Sequence, residues 1–161
     1  MTTPSRIHQY QVQTVWTGNI GVGTANYRAY KRDHEISGSS KQVSIPGSSD
    51  PAFRGDPARY NPEELLLSAV SACHMLWVLH LCADAGITIT DYSDQPVGTM
   101  TEHADGSGEF TEVTLRPVMK ITDPGRVPDA KALHERAHEV CAIARSVNFP
   151  VRCNPTVLTA E

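Results

Sequence analysis

The stretch NPEELLLSAVSACHMLWVLHLCADAG, residues 61–86, decides how the rest of the chain is read. It opens as a helix start. Asn61 can cap, Pro62 suits the first helical position because its missing N–H is not needed there, and Glu64 stands where a capping-box acid belongs. Leu65, Leu66, Leu67, Val70, Met75, Leu76, Trp77, Val78 and Leu79 follow, and Gly86 is a natural stop. The apolar residues occupy most of the circumference, which predicts a largely buried helix.

Upstream of this helix, residues 8–17 alternate polar and apolar and read as a strand. Gly18, Gly21 and Gly23 mark a turn. Residues 25–36 read as a second strand, Ser37 to Ser40 as a turn, and residues near 41–45 as a third strand, together an antiparallel meander. Residues 46–60, rich in proline and glycine, read as a loop. Downstream, residues 87–103 and 110–122 read as two strands around the Ala104–Gly108 hairpin turn. Asp123-Pro124-Gly125 breaks the chain before a second helix over about 129–147. Its apolar face carries Leu133, Ala137, Val140, Cys141 and Ala144. Pro150 ends it, and residues 155–160 read as a last short strand. Strands, helix, strands, helix make an α+β chain, read as a single domain over residues 1–161.

The 161 residues are 40% apolar and 20% charged, an ordinary globular balance, and suit one domain. The net charge of −4 argues against a nucleic acid or an anionic membrane as main partner, because phosphate binding needs clustered Lys and Arg. Arg28, Lys31 and Arg32 cluster, but Asp33 and Glu35 break the patch. The N-terminal Met-Thr-Thr-Pro-Ser-Arg-Ile-His has no apolar signal core. The longest apolar segment, Leu65 to Ala85, is interrupted by His74, His80 and Asp84, short of the roughly 20 residues of a membrane span. The expectation is a cytoplasmic protein, in which four cysteines serve as thiols, ligands or redox groups rather than bridges.

Cys73 and Cys141 fall inside the two helices on apolar faces. Each can be read as a small buried hydrophobe, the common fate of a free cysteine. Cys82, near the end of the first helix, and Cys153, in an expected loop, fit that reading best. A reactive Cys73 needs a cation to hold its thiolate. Arg28, Arg32, Arg54 and Arg59 are the candidates, with Glu63 and Glu64 as carboxylates to compensate a desolvated guanidinium.

Asn61-Pro62-Glu63-Glu64-Leu65-Leu66 followed by Ser68-Ala69-Val70-Ser71-Ala72-Cys73 resembles the first signature of the OsmC/Ohr family. His138-Glu139-Val140-Cys141-Ala142-Ile143-Ala144-Arg145-Ser146-Val147 resembles the second. The family's carboxylate ten residues before its first cysteine is matched by Glu63 and Cys73. The resemblance implies antiparallel sheets around long central helices in an intertwined homodimer with interfacial active sites. It implies reduction of organic hydroperoxides, and more weakly hydrogen peroxide, by Cys73 as nucleophile and Cys141 as resolving thiol. No cofactor is implied; a lipoyl-type or other external dithiol is the implied reductant. Arg32, ahead of the Ser37–Ser40 turn, matches the family's arginine best, with Arg54 as the alternative. Ala142 and Ala144 stand where members commonly carry proline and serine, so the helix is expected to run more regularly through Cys141.

Ten residues of straight helix span about 15 Å and turn about 280°. Glu63 therefore serves the Cys73 site of its own chain only if the helix breaks; otherwise it serves the partner subunit's site, which is the expectation here. Two rivals stand beside this reading. His134, His138 and Cys141 at i, i+4 and i+7 form a possible zinc triad, although no CxxC or HExxH motif supports it. The same fold could also act as a non-catalytic module holding a hydrophobic ligand. His74, next to Cys73, points about 100° away from it on a helix and is a poor base for that thiol.

Overall fold

The computed structural model describes residues 6–159. The N-terminal stretch through Ser5, part of the segment read above as lacking a signal core, and Ala160, the end of the expected last strand, lie outside the described residues. The chain forms two compact units, one ending at Leu65 and one beginning at Leu66.

The first unit is built on an antiparallel sheet in the order β1 (Gln13–Trp16), β2 (His34–Ser37), β3 (Ile45–Gly47). The meander is present, but its strands are shorter than expected. Residues 25–33 do not extend as strand. The Asn19 side chain accepts from the amides of Gly21 and Gly23, and Asn26 accepts from that of Arg28. Such local side-chain bonds give the backbone an alternative to a ladder. Trp16 secures the turn region, donating Nε1–H to the Lys31 carbonyl at 2.8 Å and meeting the Tyr30 ring edge-on. In the 46–60 loop, Asp50 caps a single 3-10 turn over Pro51–Phe53. Arg59 lies 3.3 Å from Glu35 and 4.0 Å from Asp33 and Asp56.

Helix α1 (Pro62–Asp84) starts on the expected capping box. Glu64 N–H donates to Asn61 Oδ1 at 2.8 Å, and Asn61 N–H donates to Glu64 Oε2 at 3.0 Å. Gly86 ends it at φ 70°, a left-handed conformation that a side chain would strain. Only the stripe Val70, His74, Val78 and Cys82 is buried. This corrects the expectation of a largely buried helix: Leu76 is 61% exposed and Leu79 37%. One chain supplies enough sheet to cover one side of a helix that is apolar all round. By length and composition α1 also meets the description of a membrane-crossing helix, a match that core helices make as well. The polar interruptions noted in the sequence do not prevent that match.

The second unit carries two three-stranded sheets. One has the order β4 (Ile89–Ser93), β7 (Val118–Ile121), β9 (Thr156–Thr159); the other β5 (Val97–Glu102), β6 (Gly108–Leu115), β8 (Val151–Cys153). Where two long strands were expected there are four, interrupted at Pro96 and Pro117, which cannot donate to a ladder. The expected β5–β6 hairpin is present, with Val97 opposite Thr114 and Glu102 opposite Gly108. The sheets are mixed rather than purely antiparallel, because β8 pairs parallel with β6 and β9 parallel with β7. Strand β8 was not expected.

Helix α2 spans Val127–Val140. It begins two residues earlier and ends well before the expected boundaries. Cys141 is its C-cap with extended φ −66° and ψ 108°. The expected regular helix through Cys141 is therefore absent. The chain turns there and makes one 3-10 turn at Ala144–Ser146. Val78, Cys82, Met119, Ile121, Ala130 and Ala137 pack into one core cluster, and Val70, Val113 and Leu115 into another.

Candidate active site and a buried histidine pair

The break at the end of α2 decides the chemistry of the cysteine pair. Cys141, fully buried at the helix end, lies close enough to Cys73 on α1 for the two free thiols to influence each other's ionisation. Burial, and after it the neighbouring Cys73 thiol, pushes the Cys141 thiol up to about 11. Both causes favour the protonated form. The Ala144 amide lies 3.5 Å from the Cys141 sulfur and partly offsets the shift. Cys73 is only part-buried and opens on an apolar groove of about 280 Å³ lined by Leu76, Trp77 and His80.

Arg32 lies in the first unit, in the loop before β2. Its guanidinium donates to the Tyr30 carbonyl at 2.7 Å and the Tyr27 carbonyl at 2.8 Å. It also sits 4.3 Å from the Tyr27 ring centroid and 4.1 Å from that of Tyr30. Among the described residues it has no carboxylate partner. Glu63, in the first turn of α1, has its Oε2 buried with no hydrogen-bond partner among the described residues. The two residues thus carry complementary charges without meeting in the single chain. Arg54 is exposed with φ 67°, and Arg59 is already engaged by carboxylates.

A second cluster was missed by sequence reasoning. His74 Nε2 lies 3.0 Å from His134 Nδ1, with the rings stacked. Cys153 Sγ lies 3.4 Å from His74 Nε2 and 4.0 Å from His134 Nδ1. Burial lowers both imidazoles to about 4. Burial also pushes the Cys153 thiol up to about 12, helped by the Asp94 carboxylate. His74 Nδ1 and His134 Nε2 are buried without a partner among the described residues. Each such atom costs about 1–3 kcal/mol, which an apolar residue of similar volume would not. The triad His134, His138, Cys141 suggested by helical spacing is not the group that converges. The end of α2 carries Cys141 to Cys73, and His134 turns to His74. Cys153 was read as a loop residue of no chemical interest; the alternation across Phe149 to Cys153 was the available signal for β8.

The model of the OsmC-like protein family matches residues 55–156. An OsmC-like protein of unknown function from Vibrio cholerae superposes with a TM-score of 0.82 at 26% identity, over 92% of this chain and 99% of that one. An organic hydroperoxide resistance protein OsmC from Legionella pneumophila gives 0.67 at 17%, over 96% and 99%. One from Elizabethkingia anophelis gives 0.65 at 17%, over 95% and 99%. At those identities the last two show a shared fold. No curated protein matches the chain. The matched span holds both cysteine signatures, α1 and α2, so this chain belongs to the OsmC-like family.

Proposed function

We propose that this protein is a thiol-dependent peroxidase that reduces organic hydroperoxides, and hydrogen peroxide more weakly. The observation that carries the reading is the proximity of the free thiols of Cys73 and Cys141. The Cys73 thiolate attacks the outer peroxide oxygen, the O–O bond breaks, and the alkoxide leaves and takes a proton to become the alcohol. Cys73 is then a sulfenic acid. The Cys141 thiol attacks that sulfur, water leaves, and a disulfide forms. Closure needs Cα atoms roughly 4.4–6.8 Å apart. An external dithiol restores both thiols by two exchange steps and is itself oxidised to a disulfide.

The apolar groove of Leu76, Trp77 and His80 beside Cys73 favours an alkyl chain over a bare peroxide. Arg32 holds the thiolate and stabilises the departing alkoxide, and Glu63 orients Arg32. Helix α1 is unbroken, which keeps Glu63 and Cys73 about 15 Å apart along it. Glu63 therefore serves the site of a partner subunit in a homodimer. The uncovered apolar face at Leu76 and Leu79 supports that assembly.

The test is consumption of cumene hydroperoxide and hydrogen peroxide with a dithiol reductant. Cys73→Ser should abolish turnover, and Cys141→Ser should react once and then inactivate. If the wild type consumes neither peroxide faster than free dithiol does, the reading fails and a ligand-binding role takes its place.

A further inference from the structure

We propose that His74, His134 and Cys153 bind a single divalent ion of the zinc class, with solvent as the fourth ligand. This does not rest on the peroxidase reading, because neither redox cysteine takes part.

The donors come from three separate elements, α1, α2 and β8, and their atoms lie within 4.8 Å of one another. A tetrahedral zinc holds nitrogen at about 2.0–2.1 Å and sulfur at about 2.3 Å. That sets two nitrogens about 3.3 Å apart and a nitrogen and a sulfur about 3.6 Å apart. The observed triangle has edges of 3.0, 3.4 and 4.0 Å. Each edge is within about 0.4 Å of the requirement. Small rotations of the three side chains would admit the ion. Two imidazoles and one thiolate suit zinc, cobalt or copper and disfavour magnesium and calcium.

The surroundings complete the case. Asp94, fixed by bonds from Ser71 Oγ at 2.6 Å and the Arg116 amide at 2.7 Å, puts negative charge on the cluster. A cavity of about 480 Å³ is lined by His134, His138 and Cys153 and gives the ion a route in and the fourth ligand a place. His138, whose Nδ1 is buried without a partner among the described residues, lines that cavity. Binding replaces the His74–His134 hydrogen bond and releases the Cys153 thiol proton to solvent.

The experiment is a cobalt titration of the chelator-treated, reduced full chain in a Cys73→Ser/Cys141→Ser background, which removes the redox pair as ligands. The expected result is one cobalt per chain, with thiolate-to-cobalt charge-transfer absorption and tetrahedral visible bands. Zinc should displace it and magnesium should not. Adding Cys153→Ser should remove the charge-transfer band. His134→Gln, checked as folded by circular dichroism, should weaken binding about a hundredfold or more. Failure to bind at tenfold excess, or a charge-transfer band that survives Cys153→Ser, overturns the site.

Discussion

Cys141 ends α2 beside Cys73, the part-exposed cysteine of α1. The proximity of these two thiols, with Cys82 held in the core, predicts one preferred disulfide. One equivalent of cumene hydroperoxide should remove two of the four titratable thiols, and peptide mapping should find Cys73 joined to Cys141. In Cys141→Ser the same treatment should leave a sulfenic acid that dimedone traps. A link through Cys82, or four thiols surviving, would contradict the pairing.

The raised Cys141 thiol predicts a pH dependence. An ordinary thiol is near 9, whereas Cys141 is pushed up to about 11 by burial and, after it, by the neighbouring Cys73 thiol. The folded chain holds this proton more tightly than the unfolded chain. The stabilisation is fully present below pH 9 and is lost as pH rises to about 11. At pH 8 only about one molecule in a thousand carries the Cys141 thiolate, and the fraction grows tenfold per unit. Iodoacetamide at pH 8 should label Cys73 first, with Cys141 labelling climbing until about pH 11. Equal labelling at pH 8 would show that burial does not protect it.

What could be read from the residues depended on how local the cause was. The start and end of α1 were legible because Asn61, Pro62, Glu64 and Gly86 act within one helical turn. The family signatures are contiguous and named Cys73 and Cys141. The end of α2 at Val140 was not legible, because the apolar spacing continues past it without a local stop signal. The His74–His134–Cys153 cluster was hidden for a similar reason. Its members sit on three elements, and only the docking of β8 beside β6 brings Cys153 in. The short strand β2 reflects competition from Asn19 and Asn26 that an alternation pattern does not register.

The apolar face that α1 leaves uncovered predicts association. Leu76 and Leu79 are exposed on a helix whose buried stripe is already used. Sedimentation should find the wild type as a dimer. Placing a carboxylate at this face, Leu79→Glu, should weaken the dimer about tenfold or more, since even 1.4 kcal/mol is tenfold. A wild type that remains monomeric at high micromolar concentration would remove the basis for a shared active site.

The α1 cap should be worth a measurable share of stability. Asn61 is buried, and its side chain satisfies the Glu64 amide. Asn61→Ala should cost about 1–2 kcal/mol in denaturant unfolding, and Asn61→Ser much less. Equal losses for both would show that packing of Asn61, rather than capping, stabilises the helix start.

The sharpest test of the cation concerns Arg32. Its planar guanidinium is held between Tyr27 and Tyr30 and bonds two carbonyls, yet among the described residues it has no carboxylate partner. An ammonium group carries the same charge but neither the plane nor the fork. If the role is only to fill space between two rings, Arg32→Lys and Arg32→Met should behave alike and affect stability rather than turnover. If the guanidinium holds the Cys73 thiolate and meets the alkoxide, both should lose about 10²–10³ in kcat/KM with little change in unfolding. Tyr30→Leu, which loosens the clamp without removing charge, should fall between wild type and those variants. Full activity in Arg32→Lys would dismiss the guanidinium role and turn attention to Arg54.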